Sequence, residues 1–119
     1  MELAQLIYTG DLDGIQKLID ANPEIVNTPD ERGFTPLILA TYLNKMEVAE
    51  LFINNGAQVN AQDASGNTAL MGVCFKGYPE LAKMLLDNGA DTTIKNHQGD
   101  TAISFARTHG HKAIEQLMI

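Results

Sequence analysis

The sequence predicts an all-α solenoid of helix-turn-helix units, and three observations carry that expectation. Gly33, Gly66 and Gly99 lie 33 residues apart. Around each glycine the same company recurs: Asp30, Asp63 and Asn96 three residues before it, Thr35, Thr68 and Thr101 two after, Leu37, Leu70 and Ile103 four after. Behind each phrase, apolar residues return at helical spacing. A period of this length marks supersecondary units that bury their apolar faces only against one another, so the chain reads as a stack without a single globular core.

Each recurring phrase is a tight turn that feeds a helix. An Asp or Asn side chain can accept from backbone N–H groups two residues on, and glycine adopts the positive φ that other residues resist. The Thr that follows is placed to cap the unpaired N–H groups of the first helical turn, and Pro36 behind Thr35 occupies a position where a missing N–H is harmless. The units therefore project hairpin-like turns ahead of their first helices.

Taken in order, residues 1–29 read as a shortened first unit with helices over Glu2–Thr9 and Asp11–Ala21. Gly10-Asp11-Leu12-Asp13 matches Asn44-Lys45-Met46-Glu47 at an interval of 34, one residue more than the period, and Pro23 sits in that insertion. Gly14, inside the second helix, is expected to cost up to about 1 kcal/mol against alanine. Full repeats follow at 30–62 and 63–95. In the first of them helices are expected over Pro36–Leu43 and Met46–Asn54, with Leu37, Ala40, Val48, Leu51 and Phe52 inward and Gly56 as the stop. In the second, Leu70, Val73, Leu81, Met84 and Leu85 form the core, Pro79 opens the second helix and Gly89 closes it. Ala40, Val73 and Ala106 recur where neighbouring helices come closest, and small residues there let the stack pack tightly.

Residues 96–119 read as a C-terminal capping repeat. Arg107 takes the position that Thr41 and Cys74 hold earlier, a position facing the next unit, and an unpaired guanidinium enclosed there would be costly. Ser104 and Thr108 make the same helix more polar, as the last unit of a solenoid requires. The whole of 1–119 is thus expected to be one domain.

The phrases Asp30-Glu31-Arg32-Gly33-Phe34-Thr35-Pro36-Leu37, Asn55-Gly56-Ala57-Gln58-Val59-Asn60 and Thr108-His109-Gly110-His111 resemble the ankyrin repeat, and the chain looks similar to short bacterial arrays of that family. The family's histidine is replaced by Ile38, Met71 and Ser104, and its proline by Ala69 and Ala102. The resemblance implies a non-catalytic module that binds another protein through turn tips and the concave face of the first helices. The positions facing the partner in that family correspond here to Glu31, Arg32, Phe34, Tyr42, Leu43, Asn67, Phe75, Lys76, His97 and His109. The aromatic members among them are favoured anchors, with Glu31, Arg32 and Lys76 as a polar rim.

Composition narrows the function classes. The formal charge is −7, from 15 acidic against 8 basic residues, and up to Glu31 only Lys17 opposes seven acids. That N-terminal excess reads as a solvated end. A chain without a basic stripe lacks the footprint of nucleic-acid binding. The sequence has no run long enough to span a membrane and no signal-peptide pattern, so a cytoplasmic address is expected. A single cysteine, Cys74, cannot form an internal disulfide.

Enzyme signatures are missing: there is no phosphate-binding Gly-rich loop, no G-x-S-x-G elbow and no H-E-x-x-H helix. Cys74 is read as a buried structural residue. His97 is expected at an exposed turn tip, and His109 and His111, two apart, are expected to point in different directions, so neither a metal nor a cofactor is anticipated. The alternatives are a regulatory or enzymatic domain using Cys74 or the histidines, and a self-associating structural protein. A monomer with a protein partner is the primary expectation.

Overall fold

The structure is a computed structural model and describes residues 2–119. Among these it contains eight α-helices in four antiparallel pairs: α1 (Glu2–Thr9) with α2 (Leu12–Ala21), α3 (Pro36–Tyr42) with α4 (Met46–Asn54), α5 (Ala69–Lys76) with α6 (Pro79–Asp87), and α7 (Ala102–Thr108) with α8 (Lys112–Leu117). The inner helices stack in chain order, α1 on α3, α3 on α5 and α5 on α7, giving an elongated body of 40 × 25 × 21 Å. Behind them the outer row opens into a shallow cleft between α4 and α6, lined by Glu50, Ile53 and Met84 among others.

Local chemistry accounts for the turns. Asp30 Oδ1 accepts from the backbone N–H groups of Arg32 and Phe34, Asp63 Oδ1 from those of Ser65 and Asn67, and Asn96 Oδ1 from those of Gln98 and Asp100, all at 2.9–3.0 Å. Each turn then delivers a capping threonine: Thr35, Thr68 and Thr101 accept from the N–H groups of Ile38, Met71 and Ser104. The third is a reciprocal capping box, because Ser104 Oγ also accepts from the Thr101 N–H at 3.0 Å.

The core runs the length of the stack. Ala40, Val73 and Ala106 are completely buried, as are Phe52 and Leu85. Leu51 and Met84, expected inward, are only half-buried, because they lie on the flanks of the outer helices with less of the stack above them. Two further expectations need correction. Asp11 does not belong to α2 but caps it, its carboxylate accepting from the Gly14 N–H at 2.9 Å. Gly14 is accordingly a fitted residue, since a Cβ there would meet Asp11 Oδ2 at 2.9 Å and Leu6 Cδ2 at 3.0 Å. The insertion around Pro23 is also structured: Pro23–Asn27 forms a 3-10 helix that buries Val26.

Side chains reach between pairs. Asn27 donates to Gly56 O and accepts from the Gln58 N–H, and Asn60 repeats this bonding one pair later with Gly89 O and the Asp91 N–H. These two asparagines fasten the loops that follow α2, α4 and α6 to one another.

Candidate functional site

A groove of about 740 Å³ runs between the turn tips and the inner helices α3, α5 and α7. Six of the ten anticipated residues line it: Arg32, Phe34, Tyr42, Asn67, Phe75 and His97. Tyr42 and Phe75 are 44% and 42% exposed, so their rings are available at the surface.

The rings are held in place by neighbours. Tyr42 lies beside Gly72, where a Cβ would come within 3.6 Å of its Cδ1, and Lys76 Nζ sits 4.8 Å from its ring centre. Phe75 packs edge-on against Phe105 at 6.3 Å and against His109 at 4.6 Å. Arg32 stacks over Phe34 at 4.6 Å while its Nη2 bonds Asp30 Oδ2 at 3.2 Å. Partial desolvation works to raise the Asp30 carboxyl, but the N–H groups of Phe34 and Arg32, together with the guanidinium, outweigh it and hold the group below the usual carboxylate range.

The other four anticipated residues lie outside the groove wall, and two aromatic or aliphatic anchors need correction. Leu43 is half-buried against the core at the end of α3 and is no surface anchor. Phe34 does line the groove but is also half-buried, because Arg32 covers one face and the core supports it. Glu31 is exposed at its turn tip, Lys76 reaches the groove only through Tyr42, and His109 backs Phe75 from the end of α7. Sequence reasoning missed Leu39 and Phe105. They sit one helical turn before Tyr42 and Thr108, so the i, i+3 relation on the inner helices was the signal that could have found them.

The last pair is joined to α5–α6 by different contacts. Asn96, almost fully buried, donates from Nδ2 to Asn67 Oδ1 at 2.8 Å, which the aspartates at the equivalent turn positions could not do. The His97 N–H donates to Ser65 O at 3.1 Å. His111 Nε2 lies 3.2 Å from Phe75 O, and its ring passes so close to Gly77 that a Cβ there would stand 2.5 Å from it. The expectation that His109 and His111 diverge is overturned: the chain turns between them at Gly110, so they do not share a helix, and their rings lie nearly parallel at 6.2 Å. Among the described residues no group of three or more potential ligands could hold a metal ion.

Cys74 is buried, and desolvation pushes its thiol up to about 12, far from the depressed value a nucleophile needs. Arg107, by contrast, is exposed and pairs with Glu115 at 2.7 Å. No described helix is long and apolar enough to cross a membrane.

The family model for ankyrin repeats in three copies matches residues 1–96. The chain belongs to the ankyrin-repeat family. Members of this family are generally non-catalytic and generally act as protein–protein interaction modules. The chain is also similar to the human DNA-binding protein RFXANK, with 37% identity over 57 residues. That match covers 48% of this chain and 22% of the human protein, so the chain spans about a fifth of that relative.

Proposed function

We propose that this ankyrin-repeat chain is a non-catalytic, monomeric, cytoplasmic adaptor that takes a protein partner into the groove between its turn tips and inner helices, with residues 96–119 capping a single domain. The observation that carries this reading is the groove itself, where Tyr42 and Phe75 stay exposed although each is held by specific neighbours. Amphipathic rings fixed in advance lose little freedom on binding, which favours them as anchors. Lys76, Arg32 and Glu31 supply the rim, with His97 and Asn67 as polar contacts and His109 as a support for Phe75.

The DNA-binding description of the human relative does not extend to this chain, because the balance of 8 basic against 15 acidic residues opposes approach to a phosphate backbone. Catalysis by Cys74 is opposed by its burial and raised pKa.

The test is affinity capture from the native cell with the unaltered chain, Tyr42→Ala and Phe75→Ala as baits, alongside thermal unfolding of each. A partner lost from both variants, with stability changed by no more than about 1 kcal/mol, is the expected result. A partner retained by both variants would show that it binds elsewhere.

A further inference from the structure

We propose, building on the groove reading above, that the partner presents a linear segment in which a carboxylate side chain stands beside apolar ones. The argument is one of charge complementarity. In a chain of net charge −7, the groove runs against the overall sign. Arg32 and His97 line it, and the ammonium of Lys76 lies over the ring of Tyr42.

The carboxylate among the lining residues, Asp63, accepts through Oδ1 from the N–H groups of Ser65 and Asn67, so part of its charge is already answered. Asp30, which pairs with Arg32, likewise accepts two backbone N–H groups. Most of the other acidic residues beyond Arg32, including Glu47, Glu50, Glu80 and Asp87, sit on the outer helices α4 and α6. At physiological ionic strength screening acts over about 8 Å, so the field that a bound segment meets is set by its immediate neighbours.

The two cations are also pre-positioned. Arg32 is held flat between the Phe34 ring and Asp30, and only its Nη2 is engaged there, which leaves the rest of a planar fork suited to a carboxylate. Lys76 makes no ion pair among the described residues and rests on Tyr42. Between them the rings of Tyr42 and Phe75, with Met71 beneath, form an apolar floor for the neighbouring side chains.

The experiment selects random linear peptides displayed on phage against the full chain, and repeats the selection with Arg32→Glu, Lys76→Glu and, as an outer-face control, Lys83→Glu. The expected result is enrichment of Asp or Glu next to aliphatic or aromatic residues, with Kd raised about tenfold by either groove reversal and unchanged by Lys83→Glu. Replacing the enriched carboxylate by its amide should weaken binding similarly, and selection on the reversed groove should shift toward Lys and Arg. Enrichment of basic or uncharged peptides, indifference to the amide, preferential binding of an oligothymidine strand, or no enrichment at all would each overturn the proposal. The last outcome leaves the adaptor reading intact if a cellular partner is still lost from Tyr42→Ala and Phe75→Ala.

Discussion

The interior helix pairs and the last one put the same repeat position to opposite use. Thr41 and Cys74, 33 residues apart, are buried beneath the next pair, and Thr41 satisfies its hydroxyl on Leu37 O and Ile38 O. Arg107, another 33 residues on, is exposed and answered by Glu115. The difference teaches that the repeat sets where a side chain points, whereas the neighbouring pair sets which chemistry is tolerated there. The fastenings change in the same way: Asn27 and Asn60 tie loops together along the first three pairs, and the fourth is held by Asn96, His97 and His111.

The sharpest way to break this comparison is to exchange the residues. Cys74→Arg would bury an unpaired guanidinium and overfill the site, at a cost on the order of 4 kcal/mol or more, enough to unfold a domain of ordinary stability. Arg107→Cys loses an exposed ion pair and should stay within about 1 kcal/mol of the unaltered chain. Urea unfolding followed by circular dichroism measures both, and a Cys74→Arg chain as stable as the original would mean that the position is not enclosed.

The next effect tests the last junction. Gly77→Ala should cost about 2–3 kcal/mol, since φ at this site is 85° and the new Cβ would collide with the His111 ring. In a His111→Ala background the collision disappears and only the backbone strain remains, so the two substitutions should be less than additive. Equal costs in both backgrounds would remove His111 from the account of this junction.

The smallest effect is the pH dependence set by Cys74. Its folded-state pKa of about 12 lies above the ordinary 9.0, so between these values the native state keeps a proton that the unfolded chain releases. Stability from this group is full below about pH 9 and falls by about 1.4 kcal/mol per pH unit as the pH rises toward 12. Lysine and tyrosine titrate in the same range, so the reading is the difference in slope from Cys74→Ser. Matching slopes in the two proteins would show that the thiol ionises as readily folded as unfolded.

Much of the architecture was legible because local chemistry generates it. The Asx turns at Asp30, Asp63 and Asn96, the threonine caps and the ladder of Ala40, Val73 and Ala106 follow from residue types at fixed offsets, and each acts within one or two turns of chain. Part of the groove was legible for the same reason. Arg32, Tyr42, Phe75 and His97 lie at positions whose direction the repeat prescribes.

What the tertiary structure decided was covering, which depends on the partner across an interface. Leu43 and Lys76 hold equivalent repeat positions, yet Leu43 is drawn against the core while Lys76 lies out over Tyr42, since apolar area is better removed from water and an ammonium is not. The space that Tyr42 occupies exists because the neighbouring helix offers Gly72 there, and Phe105 enters the wall because Phase-equivalent Leu39 and Gly72 precede it along the stack with side chains of different size. The parallel rings of His109 and His111 likewise required the chain to turn at Gly110. Sequence by itself determined the repeat, its turns, its caps and the direction of each side chain; only packing between successive pairs decided which of those side chains water still reaches, because burial is a property of two surfaces and a repeat describes one.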